Sequence, residues 1–458
     1  MMPGDVLYKR IAGMRQGYKE KGCFPLFRTI VLTLFFPLIL SQAALAQELP
    51  EPPQFSHEAG FYDSEFQLHI THPWQDAVIY YTLDGSVPTE SSPRFTEPLT
   101  VTDRSHEPNR LSTIRTTYTD GRFQFKPPRG LIPKATIVRV MVASEGYDPL
   151  YLTHTYFVFP EGRNKHAFPV ISIVGEEDSF FGDRNGIYVP GNNYREGRYN
   201  TGNYYQRGRN WEREISFEFF EVNGERAIAQ NAGVRIHGGT SRRYAHKSLR
   251  IYARSDYGES YLNHQIFPDL PFDSYKRLIL RPSSQDQGHT MFKDAFAQHL
   301  VSHLNFDTQA SRPSVVYING EYWGIHNIRE RFDDRYLERT YDVSRDEIDH
   351  LEDQHDVREG SNRHYRQMID FVESNDLSVE SNMKRVKTMM DTESYLDYFS
   401  SQIYYVNFDW PHKNIQFWRH QTDYIPHAPP GLDGRWRWMM FDMDEAFRNP
   451  SSNLNGRN

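Results

Sequence analysis

The sequence predicts an α+β protein, a small all-β sandwich followed by a larger domain of mixed strands and helices. Three observations carry this. Short runs with strand-like alternation fill residues 66–158, and no helical periodicity appears between them. Amphipathic stripes spaced three and four apart appear only after residue 290. An apolar, strand-like run, Trp438-Met439-Met440-Phe441, returns near the end. The order strands, helices, strands is that of an α+β domain, and 458 residues suffice for two or more cores. Aromatic residues make up 14 %, which suits β-rich structure and argues against disorder. The net charge of −8 argues against bulk nucleic-acid binding, which favours a basic surface.

Residues 1–46 read as a bacterial export signal. Lys9, Arg10, Arg15, Lys19, Lys21 and Arg28 form a basic n-region, 29–40 is a short apolar run, and Ala44-Leu45-Ala46 is a small-residue cleavage site. The apolar run is too short to span a bilayer comfortably, so no stable membrane span is expected after cleavage. The expected location is secreted, periplasmic or on the cell envelope. The single cysteine, Cys23, lies in this segment. The mature chain would then have no disulfide, thiolate metal site or cysteine nucleophile.

Residues 47–54 form a stiff Pro-rich linker. Strands are expected at 66–70, 78–82, 136–143 and 153–158, giving a β-sandwich over 55–160 with an insert near 105–130. A boundary near Pro160 opens the larger domain, 161–458. Its expected strands are 168–174, 215–222, 234–237, 247–253, 315–318 and 322–327, with hairpin turns at Asn223-Gly224 and Asn319-Gly320. Phe292, Ala295, Phe296, Leu300 and Leu304 share one helical face, and Tyr365, Met368, Ile369 and Val372 form another stripe. Ser344 with Glu347 reads as a capping box, and Asp391 as the N-cap of a helix over 392–406.

The chemistry concentrates in four places. Asp409 is followed five residues later by Asn414, and Asp442 and Asp444 sit two apart in an apolar setting. In phosphoryl transfer an Asp takes up the acceptor proton, an Asn a few residues on helps hold metal, and a second Asp grips the Mg²⁺ that bridges the phosphates. Carboxylates placed like Asp442 and Asp444 repel unless a cation lies between them. Gly238, Gly239, Ser241 and Arg242, between two strands, can form a backbone cradle for anions; a plain turn explains them equally well. Lys247 alternates with Leu249 and Ile251, so it points inward if that face is the core side, and a buried ammonium needs a partner. Glu330 is the candidate carboxylate, and an exposed acid among arginines is the alternative. There is no G-x-S-x-G elbow, Walker A loop or dinucleotide fingerprint.

Two resemblances follow. Tyr80-Tyr81-Thr82-Leu83-Asp84-Gly85-Ser86-Val87-Pro88-Thr89 with Pro98-Leu99-Thr100-Val101 resembles the Fn3-like (Ig-like) C-terminal domain of chitobiases and β-hexosaminidases. That likeness implies a non-catalytic module with possible glycan contact. The blocks 233–250, 319–330, Asn407 to Asn414 and 442–447 resemble, in this order, the CotH kinase family of spore-coat-protein-H-like atypical kinases. The resemblance implies a divergent protein-kinase-like fold that uses ATP and Mg²⁺ to phosphorylate Ser or Thr of a surface or coat protein. It implies Lys247 on the nucleotide phosphates, Glu330 orienting it, Asp409 as catalytic Asp, Asn414 and Asp442 holding metal, and Asp444 in support. Two departures stand out. The family often has a Lys-Lys pair where this chain has His246-Lys247. Its fold also continues with further helices beyond the metal block, so a C-terminus truncated at Asn458 is expected. CotH-like proteins also serve as surface adhesins or coat-assembly proteins, a non-catalytic alternative on the same scaffold.

Overall fold

The computed structural model describes residues 51–353 and 355–447. The export signal, Cys23 and the start of the Pro-rich linker lie outside the described residues. So do the residues after Phe447. Among the described residues no helix is long and apolar enough to cross a membrane.

The protein is mixed α and β, with a β-rich region first. Its main sheet runs Gly60–Tyr62, Leu150–Val158, Thr136–Ala143, Val78–Thr82. Alternation along Thr136–Ala143 sends Val138, Val140 and Val142 into a core with Leu68, Ile79 and Val101. The expected strand at 66–70 is broken into Phe66–Leu68 and Ile70–Thr71, which pair with Leu99–Val101 and Gln54–Phe55 respectively. The segment 102–133 contains no strand and only two single helical turns, Leu111–Thr113 and Gly121–Phe123.

Leu150–Val158 serves two cores. Tyr156 and Val158 face the first, while Phe157 and the following Phe159 pack on Val170, Phe220, Val315 and Tyr317 of the next region. That region is a closed barrel, ordered Arg213–Phe220, Arg226–Ile236, Leu249–Tyr252, Arg277–Arg281, Glu321–Arg329, Ser311–Ile318, Val170–Val174. Only the pair Ser311–Ile318 with Val170–Val174 is parallel. One face of each strand fills the interior; Ile236, Leu249, Leu280 and Ile328 stand in one register row and are all buried. The next row, Arg235, Arg250, Ile279 and Arg329, is on the outer face.

A second sheet, ordered Asp307–Thr308, Arg437–Met440, Gln416–His420, Ile348–Glu352, Asp356–Glu359, packs with the helices Arg363–Ser374 and Thr392–Tyr404. Their core holds Met368, Tyr398, Phe417, Trp436 and Trp438. Asp391 caps Thr392–Tyr404 by accepting from the backbone N–H of Glu393 and Ser394.

Two expectations are corrected. Ser344 precedes a single helical turn, Arg345–Glu347, and makes no side-chain cap. The helix Lys293–Leu300 turns its predicted apolar face outward: Phe292, Phe296 and Leu300 are exposed, while Asp294, Ala297 and Gln298 are buried. The cause is an ion pair, Asp294 with the buried Arg329 at 3.1 Å, which needs the polar face inside.

Candidate functional site

A cavity of about 500 Å³ lies between the outer face of the barrel and the second sheet. That is the size range of small-molecule sites. The barrel supplies Gly238, Gly239, Ser241, Arg242, Ser248, Arg250 and Arg281; the other wall supplies His350, Gln416, Asp409, Asn414 and Asp442.

Each position follows from local structure. Arg226–Ile236 and Leu249–Tyr252 are neighbouring antiparallel strands, and Gly238–Arg243 lies in the loop joining them. Gly238 has φ +108°, and a Cβ there would meet Ser241 Oγ at 2.4 Å, so only glycine fits this turn. Arg242 folds back to donate to the carbonyls of Gly238 (2.6 Å), Tyr204 (3.0 Å) and Gln206 (3.2 Å). These partners are neutral, and burial, with Arg207 and Arg250 nearby, pushes its pKa down to about 10.

Lys247 takes the inward side, as its alternation with Leu249 and Ile251 predicts, and is fully buried. It does not line the cavity. Its ammonium donates to the carbonyls of Thr116 (2.9 Å) and Tyr244 (2.5 Å) and lies 4.5 Å from the centre of the Tyr204 ring. Burial holds its pKa well below the usual ammonium range. The expected Lys247–Glu330 pair is not formed. Glu330 is buried and held by Arg339, and it accepts from the Ala310 N–H at 2.9 Å. Nor does Glu330 line the cavity. The reason is competition: Arg339 supplies a full charge to the carboxylate, and main-chain oxygens already satisfy the ammonium.

The cation facing the cavity from this strand is Arg250, three residues on and on the opposite face. It donates to His237 Nδ1 (2.5 Å) and the Tyr252 hydroxyl (3.2 Å), and its buried Nε has no partner among the described residues. Burial, with Arg331 close by, pushes its pKa down to about 10. His237 is held neutral by burial and by Arg250.

Asp442 and Asp444 do have a cation between them, and it is Arg281. Its Nη2 lies 2.5 Å from Asp442 and 2.6 Å from Asp444. The strand ends at Met440, and Asp442 takes φ +58°, so the two carboxylates converge on the guanidinium through a turn and not along a strand. Asp444 is buried and does not line the cavity, and its Oδ1 has no partner among the described residues. Burial pushes its pKa up to about 8, although Arg281 opposes this. Asp442 is more exposed and faces the cavity.

Asp409 and Asn414 lie in the loop that carries Thr392–Tyr404 into Gln416–His420. Asp409 pairs with Lys413 at 3.0 Å, and the Asn414 N–H donates to Asp353 at 2.8 Å. Asp409, Asn414 and Asp442 therefore meet at one cavity and offer only oxygen ligands from the two acids and the amide. That donor chemistry fits Mg²⁺, which takes one or two carboxylates and fills its remaining positions with phosphate oxygens and water. Among the described residues no cluster of three or more His, Cys, Asp or Glu could enclose a metal.

Charge is the second property of the cavity. Eight Arg and Lys residues line it against five Asp and Glu. Such a surplus of positive charge calls for an anionic ligand. Arg250, Arg281, Arg329 and Arg331 were missed by sequence reasoning. The signal for Arg250 was present, since the alternation that turns Lys247 inward turns Ser248 and Arg250 outward.

Comparison with protein families gives two matches. Residues 234–458 match the CotH kinase protein family, and residues 57–120 match the chitobiase/β-hexosaminidase C-terminal domain. No curated protein matches the chain. The strand and loop that hold Gly238 to Arg250, the Asp409–Asn414 loop and the Asp442 turn all fall within the first match, so the chain carries a CotH kinase domain preceded by a chitobiase/β-hexosaminidase C-terminal domain.

Proposed function

We propose that the chain is a secreted kinase that transfers the ATP γ-phosphoryl group to a Ser or Thr hydroxyl of a surface or coat protein. In this reading 55–160 is an Fn3-like sandwich available for glycan contact, and 161–458 a divergent kinase-like domain with the cavity between its two layers. One observation carries it: Asp409, Asn414 and Asp442 meet the arginine-rich barrel face at a single cavity. The family match supports ATP use, and the basic, apolar and small-residue pattern of 1–46 supports export.

The chain's own residues divide the work. The Gly238–Gly239 turn and Ser241 border the phosphates, with Arg250 as the charged contact from the barrel. Asp409 orients the acceptor hydroxyl and takes its proton. Asn414 and Asp442 would hold Mg²⁺, which would supply neutralisation of phosphate charge. Lys247 and Glu330 stay outside the cavity and support the fold around it.

Calorimetric titration with ATP and Mg²⁺ tests this. Binding is expected in the unmodified chain and is lost in Asp442→Ala. A chain that takes up no nucleotide sinks the kinase reading. It would favour the second one, a non-catalytic adhesin or coat-assembly protein. That alternative draws on Arg281, which satisfies Asp442 and Asp444 without a metal.

A further inference from the structure

The insert of the β-rich region does not stay within that region. From Arg110 to Phe123 it runs along the CotH domain. Glu321 accepts from the backbone N–H of Arg110 (2.7 Å), Leu111 (3.1 Å) and Ser112 (2.8 Å), which pins the insert at one end. Beyond that point it grips the segment Arg243–Lys247. The Thr116 hydroxyl donates to the Ala245 carbonyl at 2.8 Å. The Thr117 and Thr119 hydroxyls both donate to the Arg243 carbonyl, at 2.5 and 3.1 Å. The Ala245 N–H donates to the Phe123 carbonyl at 3.1 Å. The Phe123 ring stacks on Tyr244 with centroids 3.6 Å apart and planes 7° from parallel. Thr116 and Thr117 are buried.

This segment is continuous with the cavity wall. Thr240, Ser241 and Arg242 line the cavity, and Arg243 to Ala245, which the insert grips, follow directly. Lys247 closes the arrangement, because one of its two carbonyl partners, Thr116, belongs to the insert. Without the insert a buried ammonium would lose half of its hydrogen-bonded partners, which is costly.

We propose that residues 110–123 are a positioning strap for the CotH domain's cavity, with Thr117, Thr119 and Phe123 fixing the Gly238–Lys247 loop and the Thr116 carbonyl fixing Lys247. The β-rich region thereby contributes to the site although none of its residues reaches the cavity. This rests on the reading of the cavity as the nucleotide site.

The test uses the full chain and two readouts. The first is affinity for ATP with Mg²⁺ by calorimetry. Phe123→Ala, which removes the stack on Tyr244, is expected to weaken binding about five- to tenfold, and Phe123→Tyr to restore it. Thr119→Val, a milder change in case Phe123→Ala fails to fold, is expected to weaken binding about two- to threefold and Thr119→Ser to restore it. The second is reductive methylation of Lys247 read by mass spectrometry. Lys247 is expected to resist labelling in the unmodified chain and to label in Phe123→Ala. If the unmodified chain binds ATP and both variants bind it equally well, the strap is overturned while the kinase reading stands. If no chain binds ATP, the kinase reading falls, and the strap is judged by labelling alone. Labelling confined to the variants supports it, and equal labelling overturns it.

Discussion

Arg281, largely buried, and Lys247, fully buried, are both cations beside the cavity, and their surroundings are opposite. Arg281 is clamped by two carboxylates, Asp442 and Asp444, and one edge of it lines the cavity. Lys247 is held by carbonyls and ring faces and has no access to the cavity. The guanidinium keeps its charge in any protein environment and forks between two acids, whereas a buried ammonium loses its proton readily. An incoming anion can therefore compete for Arg281 and its neighbour Arg250, and has nothing to gain from Lys247 where it stands. The electrostatic pull of the site comes from the outer face of the barrel, and the lysine belongs to the framework behind it.

The sharpest way to break this comparison is at an acid that neither cation holds. Among the described residues Asp409 pairs only with the half-exposed Lys413. Asp409→Asn is expected to lower autophosphorylation, followed with radiolabelled ATP, by about 10²- to 10⁴-fold with the melting temperature kept. Undiminished transfer would remove Asp409 from its role. Next in size, Arg281→Met strips a charge from between two acids and is expected to cost about 3–5 kcal/mol in urea unfolding. A loss under 1 kcal/mol would mean that Asp442 and Asp444 do not depend on it. Third, Arg250→Ala and Lys247→Met are expected to separate affinity from stability. The arginine change should weaken ATP binding about 10- to 100-fold with little effect on unfolding. The lysine change leaves the Thr116 and Tyr244 carbonyls unpaired and should cost about 1–3 kcal/mol in unfolding. The reverse pattern would restore Lys247 as the phosphate ligand.

The smallest effect is a pH slope. Burial pushes the pKa of His350, on the far wall of the cavity, down to about 4. An unfolded histidine titrates near 6.5. Above 6.5 the contribution of His350 to stability is complete. As pH falls from there towards 4, the unfolded chain takes up a proton that the folded chain refuses, and stability is lost. His350→Gln is expected to flatten the acid limb of stability against pH by about one proton. An unchanged slope would show that His350 titrates normally in the folded protein.

Much of this architecture was legible because it is local. Alternation located Val78–Thr82 and Thr136–Ala143 with their observed ends, the Asp391 cap opened its helix, and the Gly238 turn had to be glycine. The convergence of Asp409, Asn414 and Asp442 was legible as a spacing. What could not be read depends on partners far away in sequence. Arg281 reaches acids more than 160 positions on, and no local pattern pairs them. The same holds for the Lys293–Leu300 helix, whose stripe of Phe292, Phe296 and Leu300 predicted the wrong inner face because Arg329 draws Asp294 inward. The strap was visible only as an irregular insert, since its threonine hydroxyls and the Phe123 ring meet partners more than 120 positions away, which no local pattern pairs.

The strand Leu150–Val158 gives its alternate side chains to two neighbouring cores. The two regions are therefore not beads on a string. Cutting the chain near Pro160 would bare Phe157 and Phe159 on one fragment and Phe220, Val315 and Tyr317 on the other, and each piece would carry a fresh oily surface into water. The pair should melt as one body, evolve as one inherited unit and behave poorly when expressed apart, so the N-terminal region is better viewed as a foundation than as an attachment.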